Sequence, residues 1–438
     1  MISLAFRGGP ENYSRLMKPE ATQSFRTSRH LAVAGQAAGM LADFAFRNGI
    51  LLVYFKALGF SGDRVLFFLS VPPILMLVVR LPMAHLADRF GVRRVAVAGY
   101  WVIPLAFLCF IAAGFFTGSA KSVFVMLGAA ATGVGMAVGP AGLMPWLKRL
   151  VPSETRGRFF GRFHTTWQAV GLVFVALCAL LLPETVPVPL YQWILAFIAG
   201  AGALRAVLFA RMAEPPGNEG SRLSFWRSLE RAWKASGFAP FSAYVFLMAA
   251  ATGSAQFIFG LLEKEVLGFG DNRIVWMGNL TMVGSLVGFI YAGRITDRLG
   301  TKPVFLLCHI GYAVSMCLFL ARGIVPPLFL AAAVHLLYGF CWAASMVAIT
   351  VELYKLVLPE NEAIGTSVPL LLFHFGGAAS GVLASLALNR GLLAETWTLP
   401  GMTFSSFDTL LLAGAVAVVF LIVTLGMLPS MLESRRPD

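Results

Sequence analysis

Acidic residues are scarce in this chain: 21 Asp and Glu stand against 34 Lys and Arg, and charged residues make up only 13% of 438 positions. A soluble fold needs a charged, hydrated surface, and so few charges beside 58% hydrophobic residues cannot supply one. Cysteine is also sparse. The five that occur (Cys109, Cys178, Cys308, Cys317 and Cys341) fall in apolar stretches, at spacings that match no metal pattern and suggest no disulfide framework. The first 30 residues hold no apolar run of signal-peptide length. No phosphate-binding glycine loop, zinc signature or nucleophile elbow is found; Gly133-Val134-Gly135 lies inside an apolar stretch with no strand before it. These absences argue against a soluble enzyme, an ATP-driven pump and a resident metal or cofactor.

What the chain has is length without polarity. Its mean hydropathy is +0.78, and apolar stretches long enough to cross a hydrocarbon core of about 30 Å recur twelve times. Six are expected near 31–55, 65–86, 95–116, 122–147, 159–182 and 188–210, and six more near 239–262, 274–293, 303–321, 324–350, 364–388 and 407–430. The expectation is an all-α membrane protein whose lipid partner is the bilayer itself. A tail over 1–30, six-helix bundles over 31–211 and 239–430, a linker over 212–238 and a short tail over 431–438 complete the division.

The net charge of +13 does not point to nucleic acid once its distribution is read. With a cytoplasmic N-terminus, 23 Lys and Arg fall on the cytoplasmic side, seven on the other, and four (Arg47, Arg80, Arg162 and Arg205) within spans. That bias obeys the positive-inside rule and places both termini in the cytoplasm; in a bacterium the membrane would be the inner one. The linker carries Trp226, Leu229 and Trp233 at helical spacing, which suits a short helix at the membrane surface.

A repeat unites the two halves. Ala84-His85-Leu86-Ala87-Asp88-Arg89-Phe90-Gly91-Val92-Arg93-Arg94 returns 209 residues later as Gly293-Arg294-Ile295-Thr296-Asp297-Arg298-Leu299-Gly300-Thr301-Lys302-Pro303. Val151-Pro152-Ser153-Glu154-Thr155-Arg156-Gly157-Arg158 has a weaker echo in Leu358-Pro359-Glu360-Asn361-Glu362, which lacks the Arg-Gly-Arg. The first pair resembles the G-x-x-x-D-R-x-G-R-R/K loop of the major facilitator superfamily, and the second the family's E-x-R-G-R turn. That resemblance implies twelve helices in two pseudo-symmetric six-helix bundles and alternating access; a monomer is expected. It also implies that Asp88, Arg89, Arg93, Glu154 and Arg158, with Asp297 and Arg298, form a cytoplasmic gate that breaks when the carrier opens inward. Ala84 stands where the family prefers Gly, and the weaker second turn leaves room for Glu352 to serve in its place.

Polar residues inside the spans are the candidate solute site, since each costs on the order of 3 kcal/mol to bury in a bilayer unless it meets a partner or water. Asp43 and Arg47, four apart, share a helical face with Gln36. They form either a proton-titrating pair or a permanent ion pair. In the superfamily spans 1, 4, 7 and 10 line the cavity, which adds Tyr244, Thr252 and Gln256 along span 7 and His335, Tyr338 and Trp342 on span 10. His164, Trp167 and Gln168 in span 5, Asn279 in span 8 and His374 in span 11 complete the set. Arg80, Arg162 and Arg205 are expected to snorkel to the interface. Four embedded arginines against one evident embedded acid, Asp43, favour an anionic or polyhydroxylated solute. Proton-coupled symport of a small organic solute is the leading expectation. Span 5 lacks the drug-antiporter G-P-x-x-G-G signature, so a drug or metabolite efflux antiporter ranks below it, beside an uncoupled facilitator or lipid-handling carrier.

Overall fold

In hydrocarbon every backbone N–H and C=O must be satisfied within the protein, so a chain this apolar is confined to helices or a closed barrel. It forms helices. The computed structural model describes residues 19–152, 155–214, 225–234, 237–356, 362–399 and 402–426. Eleven helices are long and apolar enough to span a membrane, and a bent pair, Gln23–Arg47 and Ile50–Ala57, makes the twelfth. That pair is span 1. Spans 2 to 6 are Gly62–Phe90, Val92–Ala113, Gly118–Leu150, Arg156–Leu181 and Val188–Ala210. Spans 7 to 12 are Phe238–Glu265, Asp271–Leu299, Thr301–Leu318, Pro327–Leu356, Glu362–Asn389 and Ser406–Leu421. The first helix begins at Pro19, well inside the expected tail, and the linker forms a helix over Phe225–Lys234.

The duplication is visible in the backbone. Spans 2 and 8 are each 29 residues long. Both end at a glycine with positive φ, Gly91 at 96° and Gly300 at 83°, which also starts the next span. A side chain would be strained in that conformation, so the repeated glycine is what turns the chain back into the membrane. The first span of each half is interrupted at a matching place. Span 1 bends by 55° at Asn48-Gly49, with Gly49 at φ 84°, and span 7 is divided at Gly253-Ser254.

Within the halves, span 4 packs between spans 2 and 3, and span 10 between spans 8 and 9. Between the halves, span 2 lies along span 11 and span 5 along span 8. One buried apolar cluster runs through both halves, from Leu41 to Leu421. A short hairpin, Thr396–Leu399 with Met402–Ser405, precedes span 12 and departs from the all-helical expectation. Trp397 stacks on Phe404 across it, and Ser405 caps span 12 through Asp408. The end carrying Pro19, the linker and the Asp-Arg-x-Gly loops is called the near end below, and the opposite end the far end.

Candidate functional site

A break in a membrane helix frees backbone groups that must find partners elsewhere. At the span 1 break, the carbonyl of Arg47 accepts a hydrogen bond from Gln256 Nε2 of span 7 at 2.8 Å. The Arg47 side chain lies 3.0 Å from Asp43 Oδ2 and sits 5.5 Å from the ring centre of Trp342 in span 10. Arg47 is 43% exposed and Asp43 14%. Span 8 comes against the same point: a Cβ added at Gly278 would lie 2.5 Å from the Asn48 carbonyl oxygen. The span 7 break is served in the same manner, with Tyr338 of span 10 donating to the Thr252 carbonyl at 3.3 Å. Asp43, Arg47, Gln256 and Trp342 therefore meet where the halves touch, and Thr252 and Tyr338 brace the second break.

A second polar cluster lies inside the second half. His335 Nε2 is 2.9 Å from Glu263 Oε1, and its Nδ1 is 2.7 Å from Thr281 Oγ1. Glu263 is wholly buried, and its Oε2 has no hydrogen-bond partner among the described residues, nor has Oδ1 of Asn279. The span 7 expected from the sequence ends at 262, one residue short of Glu263.

Other expected site residues go elsewhere. Gln36 Oε1 accepts from Arg205 Nη2 at 2.6 Å, and Arg205 lies 3.7 Å over the ring of Tyr100. Arg205 is thus buried among spans 1, 3 and 6 and does not snorkel: its stacking and hydrogen bond replace water. Tyr244 is buried against His309 of span 9, 3.3 Å away, and faces the interior of its own bundle. His164 accepts from Trp167 Nε1 at 3.1 Å at the edge of span 5, with Trp167 also against Phe44. Gln168 and His374 are half-buried. The count of embedded acids is also corrected. Glu263, Asp271, Glu352 and Asp408 are all buried, so excess embedded Arg no longer argues for an anionic solute.

Comparisons with known proteins agree with this architecture. Residues 33–381 match the family model described as Major Facilitator Superfamily. The chain belongs to the major facilitator superfamily. No curated protein sequence matches. Among solved structures, this carrier is similar to the nucleoside transporter NupG, with 15% identity, TM-score 0.64, and 92% and 98% of the two chains covered. It is similar to a bacterial homologue of iron transporter ferroportin in an inward-facing state, with 13% identity, TM-score 0.70, and coverage of 92% and 99%. It is also similar to a bacterial homologue of the human lysosomal transporter Spinster, inward-facing and unoccupied, with 14% identity, TM-score 0.63, and coverage of 93% and 96%. At these identities the likeness is one of fold. This superfamily member is an integral, multi-pass secondary transporter and not an enzyme, and its described residues include no group of three His, Cys, Asp or Glu placed to hold a metal.

The carrier's halves are locked at the far end. Asp271, the first residue of span 8 and almost fully buried, is the hub. Its Oδ2 accepts from Tyr191 Oη at 2.8 Å and from the Val186 amide at 3.2 Å, its own amide donates to the Glu184 carbonyl at 2.7 Å, and Lys264 pairs with Oδ1. Lys56 meets Glu265 at 2.8 Å, Arg273 meets Glu184 at 3.1 Å, and Asn389 donates to Asp63 at 3.0 Å. The described polar contacts between halves lie at the level of Arg47 or farther toward this end.

Among the described residues, the near-end gate forms no such lock. Asp297 and Arg298 are exposed with no described partner, and Arg89 lies over the ring of Phe90. Arg93 bonds the Ala210 carbonyl, with its amide 3.5 Å from Glu214, so it ties span 3 to span 6 within one half. The Asp88 side chain and Glu154 lie outside the described residues. Glu352 is buried and accepts from Thr301, the first residue of span 9.

Proposed function

We propose that this carrier is a proton-coupled symporter of a small organic solute, bound at the break in span 1 and seen with its far end shut. The observation that carries this is the group at Arg47: an exposed guanidinium held by Asp43, with its carbonyl bonded by Gln256 and its head beside Trp342. One residue thus touches three spans from both halves. Interrupted helices at corresponding positions of two repeats mark the solute site in carriers of this construction. Half-exposed Arg47 suits an anionic or polyhydroxylated solute. When Asp43 takes a proton, Arg47 is released to that solute; when it loses the proton, the ion pair re-forms.

The basic near end is the cytoplasmic side by the positive-inside rule, which makes this an inward-facing arrangement. The test is uphill uptake into proteoliposomes under an imposed pH gradient, run over organic anions, sugars, nucleosides and lipophilic cations. Asp43→Asn should abolish uphill uptake and retain counterflow; uphill uptake at the unaltered rate would reject Asp43 as the proton carrier. A second holder of the proton is supported by the unpaired oxygen of buried Glu263 beside His335. On that reading Glu263→Gln uncouples and Asp43→Asn does not. Transport of lipophilic cations alone would reject the symport of an anionic or polyhydroxylated solute and favour efflux.

A further inference from the structure

At the near end of the first half, the start of span 1 lies beside the start of span 5, and a cavity of about 310 Å³ opens between them. Span 1 presents Arg26, Arg29 and His30 to it, and span 5 presents Arg158 and Arg162. Helical spacing puts each set on one face. Val33 and Phe159 supply an apolar wall, and among the described residues no Asp or Glu lines the cavity. None of the four arginines has a described carboxylate partner; Arg29 bonds only the Phe25 carbonyl of its own helix, at 3.3 Å.

Charges of one sign three or four apart on a helix repel each other, and here two such faces, Arg26/Arg29 and Arg158/Arg162, are turned toward each other. Among the described residues no acid offsets them, and Arg26, His30, Arg158 and Arg162 are exposed to the solvent, so an anion that enters from it relieves the repulsion. The number and shape of the donors define which anion. Each guanidinium offers a planar fork that matches phosphate oxygens in bidentate fashion, and four forks with an imidazole exceed what a single carboxylate can accept. The volume falls at the lower end of small-ligand pockets, enough for a phosphate with a short organic substituent against Val33 and Phe159.

We propose that this cavity is a phosphate site, holding the phosphomonoester or phosphodiester group of an anion that bridges spans 1 and 5. Two sources share that chemistry. The cavity sits where the apolar stretches of both spans begin, at Gln23 and Arg158, which is headgroup depth for an anionic phospholipid. The same mouth also admits a soluble phosphate from the aqueous phase. The site is independent of which solute the carrier moves.

The experiment measures the melting midpoint of the purified, delipidated carrier in neutral detergent against inorganic phosphate, with chloride holding ionic strength constant. A saturable upward shift is expected for the unaltered protein and for Arg294→Gln, an exposed charge elsewhere at the near end. The half-saturating phosphate concentration should rise at least tenfold in Arg158→Gln/Arg162→Gln and in Arg26→Gln/Arg29→Gln. The pairs lie on different helices, so a folding failure of one leaves the other to decide. The titration is then repeated in nanodiscs of phosphatidylcholine with and without phosphatidic acid. If phosphatidic acid abolishes the phosphate shift, and less of it is retained by the double variants in native mass spectrometry, the group is a lipid headgroup. If the shift survives phosphatidic acid, the group is a soluble phosphate. A phosphate effect no larger than that of chloride, or an equal effect in both double variants, overturns the proposal.

Discussion

Replacing Asp271 by Asn tests whether the far-end lock holds the carrier in its present state. The carboxylate is buried and accepts two hydrogen bonds from the other half, from Tyr191 Oη at 2.8 Å and the Val186 amide at 3.2 Å. Lys264, its charge partner, belongs to its own half, so that pair survives opening and does not count toward the difference between states. Asparagine removes the charge and must turn an NH₂ toward either Lys264 or the two donors from the first half. Hydrogen bonds to a charged group contribute about 1.5–3 kcal/mol net. When the far end opens, water replaces those donors, so losing them raises the shut state alone. At 1.4 kcal/mol per factor of ten, a loss of about 1.5–3 kcal/mol moves the equilibrium toward far-end opening by roughly 10- to 150-fold. Electron–electron distance measurements between spin labels at Thr185→Cys and Leu392→Cys, in a background without native cysteines, read this directly. A long-distance population should appear or grow in Asp271→Asn. Asp63→Asn, which alters an exposed bond to Asn389, should shift it less than about fivefold, since exposed pairs contribute at most about 1 kcal/mol. An unchanged distance distribution in Asp271→Asn would refute the hub.

Three other substitutions separate packing from pairing. Gly278→Val drives a side chain into the Asn48 backbone across the halves, because its Cβ would lie 2.5 Å from that carbonyl oxygen. Overpacking of this kind costs about 1–3 kcal/mol, and the same spin-label pair should report a more open far end. Arg205→Met leaves Gln36 Oε1 without its donor in a dry interior and should destabilise the fold by about 1–3 kcal/mol. In thermal unfolding, Gln36→Leu/Arg205→Met should recover part of that loss. Arg322→Ala strands the fully buried Asp408 carboxylate, which then keeps only the Ser405 amide and hydroxyl. Breaking a buried pair from one side costs about 3–5 kcal/mol, to be seen as a lowered melting midpoint and reduced yield of monodisperse protein.

The sequence made the architecture legible because two of its signals are physically compulsory. Apolar length is required by the bilayer, and the Asp-Arg-x-Gly turn recurs because a helix reversed at Gly91 must be reversed again at Gly300 by the same backbone conformation. Asp43 and Arg47 were legible for a related reason: charges inside an apolar run stand out. Glu263, Asp271 and Asp408 did not stand out because they occur within a few residues of predicted span ends, where an acid is expected to meet water. Only the packing of Tyr191, His335 and Arg322 against them reveals that they are dry. The span 1 break left a signal that apolar-length counting overlooks. Asn48-Gly49 and Gly253-Ser254 are helix-weakening pairs at corresponding places in the two halves, a pattern that points to a binding site without any structure. The distance of Arg205 from its helix end suggests snorkelling, whereas Tyr100 and Gln36, which hold it inside, are remote in sequence.

The asymmetry between the halves bears on how a solute could drive the cycle. Among the described residues, every buried carboxylate belongs to the second half, and the one buried arginine belongs to the first. The second half is thus cross-braced by Glu263–His335, Asp271–Lys264 and Arg322–Asp408, each joining different parts of that half. Few polar links cross to the first half near the proposed site: Gln256 to the Arg47 carbonyl, and the face of Trp342 to the Arg47 head. A ligand shifts a conformational equilibrium only by as much as it binds one state better than the other. A solute that took the Arg47 guanidinium would compete for the contacts that span the halves, whereas one held by His335 or Tyr244 would touch a braced bundle whose internal geometry need not change. Differential binding is therefore available at the span 1 break and scarce elsewhere. For that reason the proposed site is placed at Arg47 and not in the larger polar cluster around His335.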